Sequence, residues 1–373
     1  MRILLFGEYS NLHASLAEGL RQLGHEVLVV SNGNRWRDHK RDIDLCRGNG
    51  VFGAIKYIIK LLLVLPRLRG FDVVQLINPD FVELRAEREY PIYRYLRRHN
   101  KSMFVGSFGC DWYWVHSGLT EKFFRYGDFY IGDKMRDDFW TRHYTEEFIG
   151  SAKGELCKYI MNDCDGIPAC LYEYQKCHGH YFPDKTQFIP LPVQISEETY
   201  STELKEPGKV RVFIGMDSER DVYKGTDVMN EALKEVEAKY PDRCVVVRTE
   251  RVPYEEYKRK MESCDCILDQ LYSYTPALNA LIAMAKGIVC IGGGEPENYD
   301  IINESELHPI INVYPTKESV VEALEELILH PKQLPELKRQ SIEYVKRHHD
   351  HIKVAQQYVD FWTKKGKLKK YIK

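Results

Sequence analysis

The sequence predicts an α/β protein in which two parallel, doubly wound sheets follow one another along the chain. Three observations carry this prediction. The first is that short apolar runs alternate with helical stripes from the first residue. The second is that a polar stretch without an apolar period follows at residues 195–209, after which the alternation starts again. The third is the length of 373 residues, which exceeds one ordinary core and suits two domains.

The first half contains four apolar runs typical of parallel strands: RILLFG, HEVLVVS, FDVVQLIN and SMFVGSFG. Between the first two, SNLHASLAEGLRQLG carries a helical stripe that Gly24 ends. DGIPACLYEY and TQFIPLPV resume the strand pattern after the aromatic residues 111–163, which either line a cleft or, as we favour, pack loops on the sheet.

The second half repeats this order. Its predicted strands are KVRVFIG, RCVVVRTE, DCILDQ, GIVCIGG and HPIINVYP, with helices between them and two helices at the end. Ligands of such sheets bind beyond the carboxyl ends of the strands, so the loops after these strands are the candidate sites.

Composition narrows the class of protein. A net charge of -2 gives no reason to expect nucleic acid as a partner. The ten cysteines form no small-domain framework and no tight zinc pairs, and MRILLFGEYS lacks the long apolar core of a signal peptide. We therefore expect a reduced, cytoplasmic protein without a metal site.

One apolar run, AIKYIIKLLLVLP (Ala54 to Pro66), leaves two interpretations open. It is too short to span a bilayer, which takes about 20 residues. It is either a buried or half-buried helix, which we favour, or a helix that rests on a membrane surface with Lys56 and Lys60 near the headgroups. The basic end GKLKKYIK could assist such peripheral contact.

The loop after KVRVFIG carries two cations. It reads MDSERDVYKGTD, so Arg220 and Lys224 follow a strand and precede a helix, and Gly225 gives the backbone freedom to turn. An arginine fork and a lysine point charge suit a pyrophosphate. The alternative is an ordinary solvated loop.

The stretch SYTPALNALIAMAKG has the layout of a nucleotide-sugar site, although its helix carries no acid. Thr275 is a good N-cap and a proline follows it, which predicts a helix start there. The free N–H groups around Ala277, Leu278 and Asn279 could then hold an anion.

The next loop, GGGEPE, combines three glycines with two acids. The glycines would let the backbone approach a ligand closely, and Glu295 and Glu297 could accept hydrogen bonds from sugar hydroxyls. The alternative is a turn with solvated acids.

Polar side chains also follow two strands of the first half. Glu8, Asn11 and His13 come after RILLFG, and Cys110 and Asp111 come after SMFVGSFG. An acid and a histidine at strand ends suit acceptor-hydroxyl binding or proton transfer, and Asp111 is the better placed. A single histidine at a helix start is more often a capping or packing residue.

These segments resemble the retaining GT-B glycosyltransferases of family four. ERDVYKGTD resembles that family's phosphate loop of Arg, three residues, Lys and Gly, and CDCILDQLYSYTPALNALIAMAKGIVCIGGGEPE resembles its donor segment. The likeness covers most of residues 205–345. It is looser in the first half, at GHEVLVV, FDVVQ, FGCDWYW and FIPLPV.

The resemblance implies a GT-B fold of two facing Rossmann-like domains. Residues 1–195 would bind the acceptor, residues 205–345 would bind the nucleotide sugar, and a C-terminal helix within 346–373 would cross back to the first domain.

The resemblance also implies metal-independent sugar transfer from a nucleotide diphosphate with retained configuration. Arg220 and Lys224 would stabilise the departing diphosphate. The segment TERVPYEEY, with Glu250 and Val252, would flank the nucleobase.

Two departures from the family pattern bear on the donor site. The helix glutamate that usually binds the ribose falls on Ile282, and the earlier acid of that pair falls on Tyr274. The histidine that lies beside the donor sugar falls on Phe108. Both departures affect ribose and sugar contacts and leave the two leaving-group cations in place.

We therefore predict a glycosyltransferase that uses a nucleotide-diphosphate sugar as substrate, without a cofactor, and a glycan or lipid-linked acceptor of a surface polysaccharide such as a capsule. A nucleotide-sugar 2-epimerase shares the paired Rossmann architecture but needs several acids and a histidine around the sugar. A degenerate GT-B protein that binds without turnover is the third interpretation.

Overall fold

A computed structural model describes residues 1–33, 39–196 and 198–366 of the chain. They form two compact units, each with its own five-stranded sheet. The first unit comprises residues 1–123, 143–194 and the chain from residue 351 onward, and the second comprises 124–142 and 195–350. The predicted fold class of two parallel α/β halves is confirmed.

The sheet of the first unit is parallel throughout, in the order β3-β2-β1-β4-β5. Its strands are β1 (Arg2–Phe6), β2 (Glu26–Ser31), β3 (Ile43–Asp44), β4 (Val73–Leu76) and β5 (Ser102–Val105). β4 and β5 are buried along their whole length, as expected of strands covered by helices on both faces.

A short parallel pair, β8 (Ile167–Ala169) and β9 (Thr186–Phe188), lies beside β5. The backbone N–H of Val105 donates to the carbonyl of Gly166 (3.1 Å), and that of Ser107 donates to Pro168 (2.9 Å). DGIPACLYEY therefore contributes a three-residue strand before it turns into a helix.

Eight helices accompany this sheet in the described residues: α1 (Leu12–Gln22), α2 (Gly50–Val64), α3 (Ala86–His99), α4 (Trp112–Thr120), α5 (Phe139–Phe148), α6 (Ala152–Asp163), α7 (Tyr172–Tyr181) and α15 (His351–Lys365). α15 packs against α1, where Gly19 permits close approach: a Cβ there would lie 2.2 Å from the carbonyl oxygen of His351. Trp362 is fully buried, and its indole N–H donates to the side-chain oxygen of Gln75 on β4 (3.2 Å).

The sheet of the second unit is also parallel, in the order β11-β10-β12-β13-β14. Its strands are β10 (Val210–Met216), β11 (Cys244–Glu250), β12 (Cys266–Leu268), β13 (Val289–Gly292) and β14 (Ile311–Asn312). Its helices are α8 (Asp221–Lys224), α9 (Thr226–Lys239), α10 (Tyr254–Glu262), α11 (Leu278–Met284), α12 (Pro296–Ile301), α13 (Lys317–Leu329) and α14 (Leu334–His348).

A fully buried ion pair ties α14 to the start of β12. The ammonium of Lys338 lies 2.6 Å from Asp265 and donates to the carbonyl of Glu203 (2.8 Å). Asp265 also accepts the backbone N–H groups of Lys205 and Arg211. Such a pair persists because its remaining hydrogen bonds are satisfied.

Residues 124–142, the inserted segment, require a correction to the predicted domains. The sequence assigns them to the first domain, yet they cluster with the second unit. They form an antiparallel hairpin of β6 (Tyr130–Ile131) and β7 (Lys134–Met135), followed by the start of α5. The reason is a set of hydrogen bonds to the second sheet's loops; one joins the Tyr223 hydroxyl to Asp128 (2.7 Å).

Helix α2 contains the apolar run whose placement the sequence left open. Tyr57, Leu61 and Val64 are buried. Six apolar side chains of the helix are exposed: Val51, Phe52, Ile55, Ile59, Leu62 and Leu63. Among the described residues, every helix is too short or too polar to cross a bilayer. The basic end GKLKKYIK lies outside the described residues, apart from Gly366.

Candidate donor site

Two cations project from a single helical turn at the carboxyl end of β10. Arg220 immediately precedes α8 and Lys224 is its last residue, and the backbone N–H of Lys224 donates to the carbonyl of Arg220 (3.0 Å). Side chains four residues apart on a helix lie on the same face. The turn therefore presents both positive charges together, at the edge of a parallel sheet where ligands bind.

Aromatic rings orient the Arg220 guanidinium. Its Cζ lies 5.0 Å from the ring centre of Tyr223 and 5.5 Å from that of Trp140. Trp140 comes from the inserted segment, and its indole N–H donates to the carbonyl of Glu219 (2.9 Å). These contacts fix the cation by attraction to the ring faces.

Arg136 of the inserted segment contacts the same turn. Its guanidinium donates to the carbonyl of Val222 (2.6 Å), stacks 3.8 Å from the ring centre of Tyr272, and pairs with Asp138 (3.1 Å). Sequence reasoning missed Trp140 and Arg136, because they lie about 80 residues from this turn in a segment without a helix or strand period.

Gly225 is required by the backbone and by its neighbour. Its φ is +76°, and a Cβ would lie 2.5 Å from the Cβ of Leu271. The N–H of Leu271 donates to the carbonyl of Lys224 (2.9 Å). The glycine thus lets the loop that carries both cations pack directly on the segment that follows β12.

The predicted helix start at Thr275 is wrong. The helix, α11, begins at Leu278 and has Ala277 as its N-cap. The hydroxyl of Ser273 donates to the carbonyl of Thr275 (2.6 Å), which holds a turn, and the N–H of Ala277 donates to Asp269 (3.2 Å). The carboxylate of Asp269 thus accepts the N–H group of Ala277, which was expected to bind an anion.

Asp269 connects this turn to the cations. Burial raises the pKa of its carboxyl, while the charge of Lys224 and the hydrogen bond from Ala277 act in the opposite direction. Asn279, another predicted donor residue, donates from its side chain to the hydroxyl of Tyr257 on α10 (2.8 Å). It therefore links α11 to the helix that follows the predicted base-binding strand.

The two acids of GGGEPE are already bound by the inserted segment. Glu295 is 2% exposed, and its two oxygens accept from the guanidinium of Arg125 (2.8 Å) and the hydroxyl of Tyr126 (2.6 Å). Glu297 accepts two bonds from the same guanidinium (2.6 and 3.1 Å), which lowers the pKa of its carboxyl. Glu295 is thus an anchor of the inserted segment, which corrects its predicted contact with sugar hydroxyls.

The departure at Tyr274 has the same explanation. Its hydroxyl accepts the backbone N–H of Arg125 (2.7 Å), and the guanidinium of Arg125 lies 4.8 Å from its ring centre. Where the resembled family has an acid, this chain has a ring that holds the inserted segment.

The glycines of this loop serve chain packing. A Cβ at Gly293 would lie 2.3 Å from the carbonyl oxygen of Ser273, and one at Gly294 would lie 2.6 Å from Ile310. The glycines therefore have a packing role, and their expected close approach to a ligand stays a prediction. An open cavity of about 620 Å³ nevertheless lies beside them, lined by Arg125, Gly294, Glu295, Pro296, Glu297, Asp300, Asn312 and Tyr314.

The predicted base-binding residues follow β11. Glu250 ends that strand and is exposed, and Val252 is half-buried. Between them Arg251, with φ of 51°, forms an ion pair with Glu219 (2.7 Å). The pair joins this loop to the loop that precedes α8, as the predicted binding of one nucleotide by both loops would require.

The acceptor residues predicted in the first unit are used by the fold. Glu8 is 3% exposed and accepts the N–H groups of His13 (3.3 Å) and Ala14 (2.9 Å), and burial raises the pKa of its carboxyl to about 8. His13 is fully buried with Nδ1 donating to the carbonyl of Gly7, and burial lowers its pKa to about 4. The side chain of Asn11 donates to Ser15.

Asp111 is also buried, in a polar network that the sequence does not reveal. One oxygen caps α4 through the N–H of Trp114 (2.9 Å), and the other lies 2.7 Å from Nε2 of His178. Nδ1 of His178 lies 2.7 Å from the hydroxyl of Ser107. Asp111 and His178 are both fully buried, and the Asp111 charge helps raise the pKa of His178 against burial. Asp111 therefore orders the first unit and is not placed to contact an acceptor.

Solved structures identify the architecture. The catalytic domain of starch synthase IV from Arabidopsis thaliana, solved with ADP and acarbose, has a TM-score of 0.61 at 10% identity and matches 98% of this chain and 99% of its own. HepE from Anabaena, solved with UDP and glucose, has a TM-score of 0.59 at 11% identity, with 98% and 100% covered. The chain has the GT-B fold.

A third structure of this fold is WaaG, a glycosyltransferase involved in lipopolysaccharide biosynthesis. It has a TM-score of 0.52 at 13% identity, and the match covers 96% of this chain and 99% of WaaG. No protein-family model and no curated protein sequence matches the chain significantly. The GT-B resemblance noted from the sequence is confirmed at the level of the fold.

Proposed function

We propose that this GT-B chain is a glycosyltransferase that moves a sugar from a nucleotide-diphosphate donor to a glycan or lipid-linked acceptor, with retention and without a metal or other cofactor. The observation that carries the proposal is the pair of cations, Arg220 and Lys224, on one turn at the carboxyl end of β10. In a parallel sheet this edge is the place for a phosphate-bearing ligand.

The two cations suit the charge that develops during transfer. When the bond between the anomeric carbon and the diphosphate oxygen breaks, the bonding electron pair stays with the diphosphate. A guanidinium fork and an ammonium stabilise that charge best when they are already oriented. The rings of Trp140 and Tyr223 orient Arg220. The charge of Lys224 acts on the buried carboxyl of Asp269 and opposes the rise of its pKa.

The sugar would occupy the cavity beside GGGEPE. Glu295 would hold the inserted segment in place beside the sugar and would not bind the sugar itself, since both of its oxygens are bound by that segment. Asp300, Asn312 and Tyr314 line the same cavity and offer a carboxylate, an amide and an exposed ring to a hydroxylated ligand. We assign sugar contact to these three residues in place of Glu295, and leave Glu297 at the rim.

The acceptor that we propose belongs to a surface glycan. We infer a surface polysaccharide such as a capsule, a cytoplasmic location and peripheral contact with the inner face of the cell membrane, supported by the likeness to WaaG and by the exposed apolar face of α2. The acceptor contacts proposed for Glu8, His13 and Asp111 are withdrawn, because their side chains are buried in internal hydrogen bonds. The same burial speaks against the 2-epimerase, which needs acids and a histidine around the sugar.

A binder without turnover is the second candidate. It is favoured by one observation: the acid expected to bind sugar, Glu295, is held by the chain itself. Hydrolysis of a nucleotide sugar in the absence of acceptor separates the two candidates, since a non-catalytic binder would be stabilised by the ligand and leave it intact.

The proposal is tested by a thermal-shift panel of nucleoside diphosphates and their sugars. Wild type should be stabilised by one diphosphate more than by the others. Arg220→Ala and Lys224→Ala should lose both this stabilisation and turnover, while their melting temperatures without ligand stay at the wild-type value. Lys332→Ala is the matched control, since Lys332 is an exposed cation of the same unit in the turn before α14. Normal turnover in both site variants would remove the donor-site assignment.

A further inference from the structure

The exposed apolar side chains of α2 occupy one side of the helix. At 100° per residue, Val51, Phe52, Ile55, Ile59, Leu62 and Leu63 fall within an arc of about 120°. Phe52 is 89% exposed and Leu63 is 73% exposed. A continuous apolar strip on a 15-residue helix, about 22 Å long, is larger than the scattered apolar residues of an ordinary surface.

The opposite side of α2 attaches the helix to the first unit. Tyr57, Leu61 and Val64 are buried, and the Tyr57 hydroxyl accepts the backbone N–H of Glu83 (3.0 Å). The helix is thus held in place by its inner side, and the exposed strip faces away from the sheet. Its position does not depend on whatever covers the strip.

The charged residues of the segment that carries the strip are all cations, although one of them, Lys60, pairs with Asp44 just outside it (3.1 Å). Residues 45–71 contain five cations and no Asp or Glu. Lys56 on the helix and Arg67 and Arg69 after it are exposed. A helix with an apolar face and cations at its margin has the composition of helices that lie in the interface of an anionic bilayer.

We propose that α2 docks the first unit on an anionic lipid surface, lying in the plane of the bilayer with its apolar strip below the headgroups and Lys56, Arg67 and Arg69 among the lipid phosphates. A second copy of the chain fits the strip less well. A two-fold contact through α2 would bring the two acid-free stretches, residues 45–71, against each other and place like charges close together.

The docking rests on the proposed function, since it specifies the helix and the lipid charge of the peripheral membrane contact inferred there, but it does not depend on the donor site. It places the first unit, whose counterpart in the predicted GT-B arrangement binds the acceptor, at the surface where a lipid-linked acceptor would reside. A variant without the donor cations, Arg220→Ala, should therefore bind lipid as wild type does.

Flotation of the full chain with vesicles tests the proposal. Wild type should float with vesicles of equal phosphatidylcholine and phosphatidylglycerol, bind phosphatidylcholine vesicles far less, and lose binding as salt is raised. Phe52→Ser/Leu63→Ser should weaken binding about 100-fold, because two large side chains no longer enter the apolar layer. Lys56→Gln/Arg67→Gln should weaken it about 30-fold, from about a fivefold loss per charge.

The controls separate the outcomes. Leu329→Ser, at a leucine 41% exposed in α13, should bind vesicles as wild type does. Wild type that fails to float, or a Phe52→Ser/Leu63→Ser variant that floats as well as wild type, would overturn the proposal. So would a lipid-free dimer, seen by sedimentation velocity, that Phe52→Ser/Leu63→Ser dissociates while vesicle binding is absent.

Discussion

Replacing Arg125 by methionine tests whether the inserted segment is held by the acids of GGGEPE. The methionine keeps an unbranched stem over Tyr274 but removes every donor to Glu295, which is 2% exposed, except the Tyr126 hydroxyl. Leaving a buried carboxylate short of one partner costs about 2 kcal/mol. The pair with Glu297 and the ring contact are on a side chain that is 51% exposed, so together they contribute only about 1 kcal/mol.

We therefore expect Arg125→Met to lower the free energy of unfolding of the second unit by about 3 kcal/mol. Glu295→Gln in the same background removes the buried charge, so the double variant should be more stable than the sum of the two single losses predicts, by about 1.5 kcal/mol. Urea unfolding of wild type, both single variants and the double variant measures this coupling.

The matched control is Arg339→Met, which removes a guanidinium paired with Glu336 on the exposed face of α14. It should leave the urea midpoint close to that of wild type. A loss below about 1 kcal/mol for Arg125→Met, or strictly additive effects in the cycle, would refute the anchoring role of Glu295.

Three further outcomes follow from single positions. Gly225→Ala should destabilise the second unit and weaken nucleotide binding, because φ is +76° and the new Cβ would lie 2.5 Å from Leu271; an unchanged urea midpoint would contradict this. Lys338→Met should cost about 3–5 kcal/mol, because it leaves Asp265 buried and charged, and a loss under 1 kcal/mol in urea unfolding would show that the pair is dispensable. His13, neutral in the fold with a pKa near 4, should contribute stability that is present above pH 6.5 and lost as pH falls toward 4, and its ring resonances should not titrate between pH 5.5 and 8; a midpoint near 6.5 would contradict its burial.

The strands of both sheets, apart from the two-residue β3, were predictable from the sequence, because buried parallel strands are continuous apolar runs separated by amphipathic helices. The placement of Arg220, Lys224 and Gly225 on one turn was also predictable, since the three residues are neighbours in the chain and their placement is local. Nothing distant has to be known to put them on one turn.

The inserted segment was not predictable, because its partners are far away in sequence. Arg125 meets Glu295 across 170 residues, and Arg136 meets Val222 across 86. The aromatic stretch that contains them has no strand or helix period, so the sequence signals neither its hairpin nor its unit. The pairing of Asp111 with His178 was not predictable for the same reason, because the two residues lie 67 positions apart.

The predicted helix start at Thr275 was wrong for a local reason. Thr275 and its following proline match the statistics of an N-cap, but the hydroxyl of Ser273 bonds to the carbonyl of Thr275 and extends the turn by two residues. The side chain of Asp269 then takes the N–H of Ala277. Competition between side chains for backbone groups decides such boundaries, and residue preferences alone do not register it.

The central claim is that one turn of the second unit binds a nucleoside diphosphate through Arg220 and Lys224. Isothermal titration of the preferred diphosphate into wild type, Arg220→Ala, Lys224→Ala and Lys332→Ala measures it most directly. We predict that each site variant weakens binding by about 10-fold or more, since a charge-assisted hydrogen bond contributes about 1.5–3 kcal/mol, and that Lys332→Ala binds as wild type does. Equal affinity in all four proteins, or no binding of any diphosphate to wild type, would contradict the account.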